Sequence, residues 1–361
     1  MAYSLDLVDA PITCHCWNKD GTQLAFCPNT NDLLIYEVNG KTTKLLYTLS
    51  EHTQVISSCD WNFTTGQIVT CSHDRNAYVW ELDEKEKVWR KQLVLLKLRR
   101  AATYVRWAPN GKMFCVATGS SKFRVCSYDP KQNWWQSYNL DNGHPTSLNV
   151  EFMPDSKHCI CAATDRHFGY YALDENEASI VKDKHGKKQV KFCLHEYSAQ
   201  GWVNACAVSP SGEWVVFTSQ DAYIRFINTK DFAEDKNNAL NINGLPLLSL
   251  CFISDKALIG GGFDCQPRLF VLKGNQWTDL GLIDIPEIRE KNDSAGASGG
   301  IAARRAMFGG PKVTKTESLH NNIIVGIRKT GKLITTCAND GKIGIWPIDS
   351  IKAHFSSEQL E

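Results

Sequence analysis

Short apolar strands and polar turns alternate along this chain in a register that returns seven times. Each return starts with an apolar anchor that ends a short strand: Trp17, Trp61, Trp107, Phe152, Val208, Phe252 and Ile327. A few residues later comes a turn carrying Gly21, Gly66, Gly111, Asp155, Gly212, Asp255 or Gly331. A polar turn follows about thirteen residues after the anchor, with Asp32, Asp74, Ser120, Asp165, Asp221, Asp264 or Asp340. A strand ending in an aromatic then closes the unit, at Tyr36, Trp80, Tyr128, Tyr171, Phe226, Phe270 and Trp346. The anchors are spaced by 44, 46, 45, 56, 44 and 75 residues. A period near 44 with strand-length apolar runs is the sequence form of a β-propeller blade. The pattern predicts an all-β, seven-bladed propeller made as one domain over residues 1–361.

Each unit reads as three strands and a less regular fourth. In the second unit the strands are expected over 55–61, 67–72 and 76–80, with the fourth over 89–98, where β-propensity is high. The last unit has no obvious fourth strand. A spare strand stands ahead of the first unit, over 3–8. Pairing it beside 342–346 would complete the last blade and remove an exposed edge.

Two steps are too long. The surplus after Phe152 contains KDKHGKK at 182–188, which reads as a solvated hairpin tip. The surplus ahead of the seventh unit spans 284–318 and is dominated by Ser, Gly and Ala, a composition that predicts mobility. Within it, IAARRAMF at 301–308 is rich in helix formers and bounded by Gly. On a helix, Ile301, Arg304, Arg305 and Phe308 share one stripe, with Met307 beside it. That makes a small apolar ridge with two arginines, too short to fold without a partner.

Bulk properties narrow the function. A net charge of +1 provides no field for nucleic acid or an anionic membrane. No apolar run is long enough to span a membrane, and the first residues lack a signal-peptide layout, so a cytoplasmic protein is expected. The 14 cysteines read as buried reduced thiols, because pairs such as Cys14/Cys16 and Cys159/Cys161 sit two apart on strands, not at thiolate-ligand spacing. No catalytic layout is present: there is no G-x-S-x-G, no phosphate-binding loop and no H-E-x-x-H. His195-Glu196 reads as an ordinary strand pair. A propeller enzyme would need carboxylates or histidines at funnel positions of several blades, and the pattern places none there. No catalytic residue, metal or cofactor is expected.

Several stretches are more specific than the period: CHCWNKD at 14–20, CPN at 27–29, DRNAYVW at 74–80, RAA at 100–102 with VRWAPN at 105–110, LPLL at 245–248, and DC at 264–265 with Pro267. Together with the late Ala-Arg-rich insertion they make the whole chain resemble the WD-repeat subunit of the actin-related protein 2/3 complex. The resemblance implies a non-catalytic scaffold in an assembly that starts daughter actin filaments on existing ones. It implies contacts with actin-related proteins, smaller subunits of the complex and acidic segments of nucleation-promoting factors. Contact with the mother filament would run through Ile301, Arg304, Arg305, Met307 and Phe308, and the location would be the actin cytoskeleton. In WD-repeat propellers the set His52, Ser72, Asp74 and Trp80 forms a buried relay that ties a blade together. His144 and His320 precede their units in the same way and take the same structural reading. An unrelated WD-repeat adaptor, such as a ligase substrate receptor, is the alternative.

Overall fold

The structure, a computed structural model, describes residues 2–141, 143–174, 176, 178–182, 188–232, 238–283 and 318–355. Seven four-stranded antiparallel sheets account for nearly all of them. The innermost strands, in ring order, are Cys14–Trp17, Ile56–Trp61, Ala102–Trp107, Ser147–Phe152, Val203–Val208, Leu247–Ser254 and Ile324–Thr330. Each is followed outward by three more strands, so blade 2 runs Ile56–Trp61, Ile68–Ser72, Ala77–Asp83 and Val88–Val94. Its fourth strand is shorter than the expected 89–98, because the chain leaves the ladder towards the next blade and Lys97 takes a positive φ of 49°.

The core is divided among the junctions between sheets. Val69 and Val79 of blade 2 pack with Val105, Trp107 and Trp135 of blade 3. Ile259, Leu269 and Val271 of blade 6 pack with Ile324, Ile334 and Trp346 of blade 7. Seven such clusters lie one per junction, and the aromatics Trp80, Tyr171, Phe226, Phe270 and Trp346 that end third strands fill the space between sheets, whereas Tyr128 is exposed. Each fully buried large apolar side chain contributes about 1.5–3 kcal/mol.

The ring closes as the pattern predicts. Tyr3–Asp6 is the outer strand of blade 7 and pairs antiparallel with Lys342–Pro347, Leu5 opposite Ile343. Leu5 is buried with Ile343, Ile345 and Trp17, so this strand joins blades 7 and 1. It stops at Asp6, two residues before the expected end. Just beyond it the chain passes so near Gly341 that a Cβ there would strike the Val8 carbonyl oxygen, and Gly341 has a φ of +78°. Both the space and the dihedral call for glycine.

Two features differ from the sequence reading. After Trp346 the chain forms a helix, Ile348–Phe355, with Ile348 and Ile351 buried. Asp349 in its first turn and Lys352 and His354 in its last suit the helix dipole. The seventh anchor is also displaced. In blades 1, 2, 4 and 6 the anchor pairs with the second-strand residue opposite the closing aromatic, as Trp61 pairs with Ile68 and Ile68 with Trp80. In blade 7, Trp346 pairs with Ile334, and Ile334 with Lys329, not with Ile327. A two-residue turn between Thr330 and Leu333 brings the glycine closer to the anchor, so counting back from Gly331 overshoots.

Residues 284–317 lie between the fourth strand of blade 6, Gln276–Leu282, and the first of blade 7. They fall outside the described residues, as do 183–187. The hairpin expected around 182–188 is present in its stems: Ser179–Lys182 pairs antiparallel with Lys188–Lys191.

Candidate functional site

The aspartates of the second polar turn share one task. Their carboxylates accept backbone amides from the loop that enters the same blade: Thr53 to Asp74 at 3.0 Å, Gln200 to Asp221 at 3.1 Å, Leu245 to Asp264 at 3.1 Å and Asn321 to Asp340 at 2.8 Å. In blade 2 the contact extends into a relay. His52 Nδ1 lies 2.7 Å from Asp74 Oδ2, His52 Nε2 lies 2.9 Å from Thr70 Oγ1, and Trp80 Nε1 donates to the same hydroxyl at 3.0 Å. Blade 7 repeats it: His320 bonds Asp340 and Thr336, and Trp346 Nε1 donates to Thr336 Oγ1 at 3.0 Å.

The expected relay set therefore needs one change. His52, Asp74 and Trp80 come together, but the hydroxyl that joins His52 to Trp80 belongs to Thr70. Ser72 sits beside the relay, accepting the Asp74 amide at 3.1 Å and donating to the Gln54 carbonyl at 2.9 Å. Burial pushes the Asp74 carboxyl up, but His52 and the amides of Asn76 and Thr53 outweigh that and hold it below the usual range. Burial and His320 with the Asn321 and Lys342 amides oppose each other in the same way at Asp340, with the same net direction. These are locking groups with no reactive partner in register.

Blade 4 starts the relay and does not finish it. His144 Nδ1 lies 2.6 Å from Asp165 Oδ2. The counterpart of Thr70 is Cys161 and that of Trp80 is Tyr171, as the ladders show. Cys161 brings no hydroxyl, the Tyr171 hydroxyl instead lies over Gly169, and the Nε2 side of His144 faces Glu196, 3.5 Å away. His167 stacks on His144 with ring centroids 4.5 Å apart. Neither His167 nor Glu196 stands out in the repeat. The signal was the missing hydroxyl at Cys161 beside a retained His144.

Channel carboxylates do exist, contrary to the sequence reading. The residue before each anchor faces the axis, and Asp60, Arg106, Glu151 and Arg328 occupy that position in four blades. Arg106 Nη1 lies 2.9 Å from Asp60 and its Nε 2.9 Å from Glu151. Burial weakens the Arg106 guanidinium, but Glu151 and Asp60 more than compensate and hold it charged. Arg328 faces the ring of Tyr104 at 5.7 Å. A cavity of about 280 Å³ opens beside this network, with Phe63 on its rim. The register shift in blade 7 hid Arg328, and the carboxylates are tied up with Arg106.

Loops entering the blades and second polar turns share one face of the ring. On it Trp202 is 58% exposed and Leu245 52% exposed. The described residues break off at Ile283, after the fourth strand of blade 6, and resume at Ser318 in the loop that enters blade 7. Ile301, Arg304, Arg305, Met307 and Phe308, with the helix expected over 301–308, lie outside the described residues. The cysteines are free thiols, all buried except Cys251 and Cys265, which are partly so. Burial pushes Cys27 up to about 11 and Cys71 up to about 12, which keeps them neutral. Among the described residues no helix is long and apolar enough to cross a membrane.

Comparison with known proteins agrees with this geometry. The family of the WD domain, G-beta repeat, matches residues 43–81 and 191–228. Each match starts near the outer strand of one blade and ends on the third strand of the next, so the sequence repeat straddles a blade junction. Over 97% of both chains, the protein is 32% identical to actin-related protein 2/3 complex subunit 1A-B of Xenopus laevis. It is 30% identical to subunit 1B of Arabidopsis thaliana, over 96% of this chain and 97% of that one. Subunit 1 of Saccharomyces cerevisiae is also 30% identical, over 95% of this chain and 96% of the relative.

Proposed function

This chain belongs to the family of subunit 1 of the actin-related protein 2/3 complex, and from that membership we propose that it is a non-catalytic scaffold supporting nucleation of branched actin filaments. The observation that carries the reading is how the ring uses its polar groups. Turn aspartates lock loops, and both channel carboxylates are paired with Arg106. What remains for a partner is the outside of the ring, where one face carries exposed Trp202 and Leu245.

Its partners are the actin-related proteins and smaller subunits of the same complex, in the cytoplasm at the actin cytoskeleton. Acidic segments of nucleation-promoting factors dock on the assembled complex. Residues 301–308 bind the side of the mother filament, with Ile301, Met307 and Phe308 as the apolar contact and Arg304 and Arg305 beside them. Three apolar side chains contribute roughly 1.5–3 kcal/mol each on burial, and ordering the segment offsets much of that. The contact is weak alone and effective only within a complex already held on the filament.

Purification of the full chain from cytosol, with mass spectrometry of what accompanies it, tests the assembly. Actin-related proteins should co-purify; ligase components in their place would overturn the scaffold reading. Branch counting with reconstituted complex tests the insertion. Phe308→Ala with Met307→Ala should lower branch density with assembly intact, and more than Arg305→Ala, whose exposed charge is worth little. Wild-type branch density in the double variant would remove the filament contact.

A further inference from the structure

The channel mouth on the side of the anchor turns carries one positive charge in excess. The charged groups around its cavity of about 280 Å³ are three cations, Arg106, Arg328 and Lys329, and two carboxylates, Asp60 and Glu151. Both carboxylates close onto Arg106, Asp60 with Nη1 at 2.9 Å and Glu151 with Nε at 2.9 Å. The second oxygen of Asp60 accepts the Trp107 amide at 2.8 Å. Arg328 makes no ion pair among the described residues. Its Nη1 donates to the Ile327 carbonyl at 3.2 Å, its Nε is buried without a hydrogen bond, and the Tyr104 ring centre lies 5.7 Å from its guanidinium. Burial and Arg106 weaken Arg328, but Tyr104, Asp60 and Glu151 outweigh them, so it stays charged.

Lys329 is the second anomaly. It pairs with Ile334 opposite Trp346, the place that Trp17, Trp61, Phe152 and Phe252 hold in blades 1, 2, 4 and 6. A lysine thus stands at the rim where four blades put an aromatic. It is exposed, and its Nζ donates to the Ile253 carbonyl at 2.6 Å, which leaves its other N–H donors for an acceptor.

We propose that Arg328 and Lys329 bind a single carboxylate, carried on a small apolar body, in this mouth of the channel. One negative charge balances the excess, and a carboxylate matches the two parallel donors of a guanidinium. A doubly charged phosphate would face Asp60 and Glu151 at close range, which disfavours it. Trp61, Trp107 and Phe152 line the cavity with Phe63 on its rim, so an apolar body has walls to pack on. The volume lies just under the usual range of ligand pockets, about 300–1,000 Å³, which suits a small acid. Arg328 also borders a second cavity of about 180 Å³ towards the other face, with His15 and Tyr104. Burial and the Arg328 charge push His15 well down, so that side offers no second cation. The anion therefore belongs on the Lys329 side.

A free acid and an acidic side chain of a partner present the same group, and the test separates them. Fluorine NMR follows 4-fluorophenylacetate titrated into the full-length chain, with a blocked Phe-Glu dipeptide as competitor and as a ligand in its own right by calorimetry. The acid should bind with a Kd of about 1 mM or tighter, and neutral 4-fluorophenylacetamide at least about 10-fold more weakly. Arg328→Met should weaken the acid at least about 10-fold, and Lys329→Gln about 2- to 5-fold. Without ligand, Arg328→Met should melt at or above the wild-type temperature, because no ion pair is broken; a structural arginine would lower it. Lys329→Gln alters an exposed residue and keeps the binding test decisive where Arg328→Met folds poorly. Binding of the free acid assigns a small molecule to the site; binding of the dipeptide alone assigns the side chain of a partner. Binding of neither, equal binding of the amide, or binding unchanged in both variants overturns the site.

Discussion

Blade 2 and blade 4 begin from the same pair, a histidine in the entering loop and an aspartate in the second turn, and end in different chemistry. In blade 2 the Thr70 hydroxyl accepts from Trp80 and holds His52, so the histidine is fixed at both nitrogens. In blade 4 the same place holds Cys161, Tyr171 replaces the tryptophan, and His144 turns its second nitrogen towards Glu196. The threonine hydroxyl that joins histidine to tryptophan in blade 2 has no threonine counterpart in blade 4. Blade 7 behaves like blade 2, through Thr336.

The largest test asks whether a relay can hold a blade without its outer strand. Deleting residues 1–9 leaves the relay of blade 7 intact but exposes the edge of Lys342–Pro347. Leu5, 3% exposed, contributes about 1.5–3 kcal/mol on its own, and the ladder is lost as well. Thermal melting should show a large drop. An unchanged melting temperature would mean that this strand does not close the ring.

Next in size is the hydroxyl itself. Thr70→Val keeps the shape and removes the oxygen, leaving His52 and Trp80 with buried unpaired nitrogens at about 1–3 kcal/mol. Cys161→Val in blade 4 removes no hydroxyl and should cost less than about 1.5 kcal/mol, the usual limit for a volume-conserving change. Equal losses in chemical denaturation would show that the relay of blade 2 adds nothing to packing.

Acid should separate the blades further. Asp74 and Asp340 are held below the ordinary aspartate value of 3.8 in the folded chain. A depressed carboxylate stabilises the fold above its unfolded pKa, and that contribution is lost as pH falls through the folded value. Wild type should therefore lose stability below about pH 4. Asp74→Asn, which cannot titrate, should start lower at neutral pH and converge on wild type in acid. Parallel curves would refute the linkage.

The smallest effect comes from giving blade 4 what blade 2 has. Cys161→Thr supplies the missing hydroxyl and is expected to raise stability by about 0.5–1.5 kcal/mol, the net worth of one hydrogen bond. A melting temperature equal to wild type would break the equivalence drawn between the two blades.

The pattern of the chain determined the ring. Seven returns of anchor, turn and aromatic gave seven blades, and the missing fourth strand of the last unit identified Tyr3–Asp6 as its closure. These features are legible because a strand's period and a turn's composition are local, and one exposed edge must be covered by whatever strand is left over. The relay was legible in part. His52, Asp74 and Trp80 were found by their spacing, but Thr70 and Ser72 stand two apart on one strand face, and only distance chooses between their hydroxyls. The terminal helix was missed because its apolar stripe is short, Ile348, Ile351 and Phe355, and packing against blade 7 decides its state. Arg328 was missed because a shorter turn moved the anchor by two residues. His144, Asp165, His167 and Glu196 are up to 52 positions apart (144 to 196) and belong to three separate segments of blade 4. No period links them. Their juxtaposition exists only once the strands are paired, since it depends on the ladder that sets Glu196 across from Gly169 and on the turn that sets Asp165 beneath both rings.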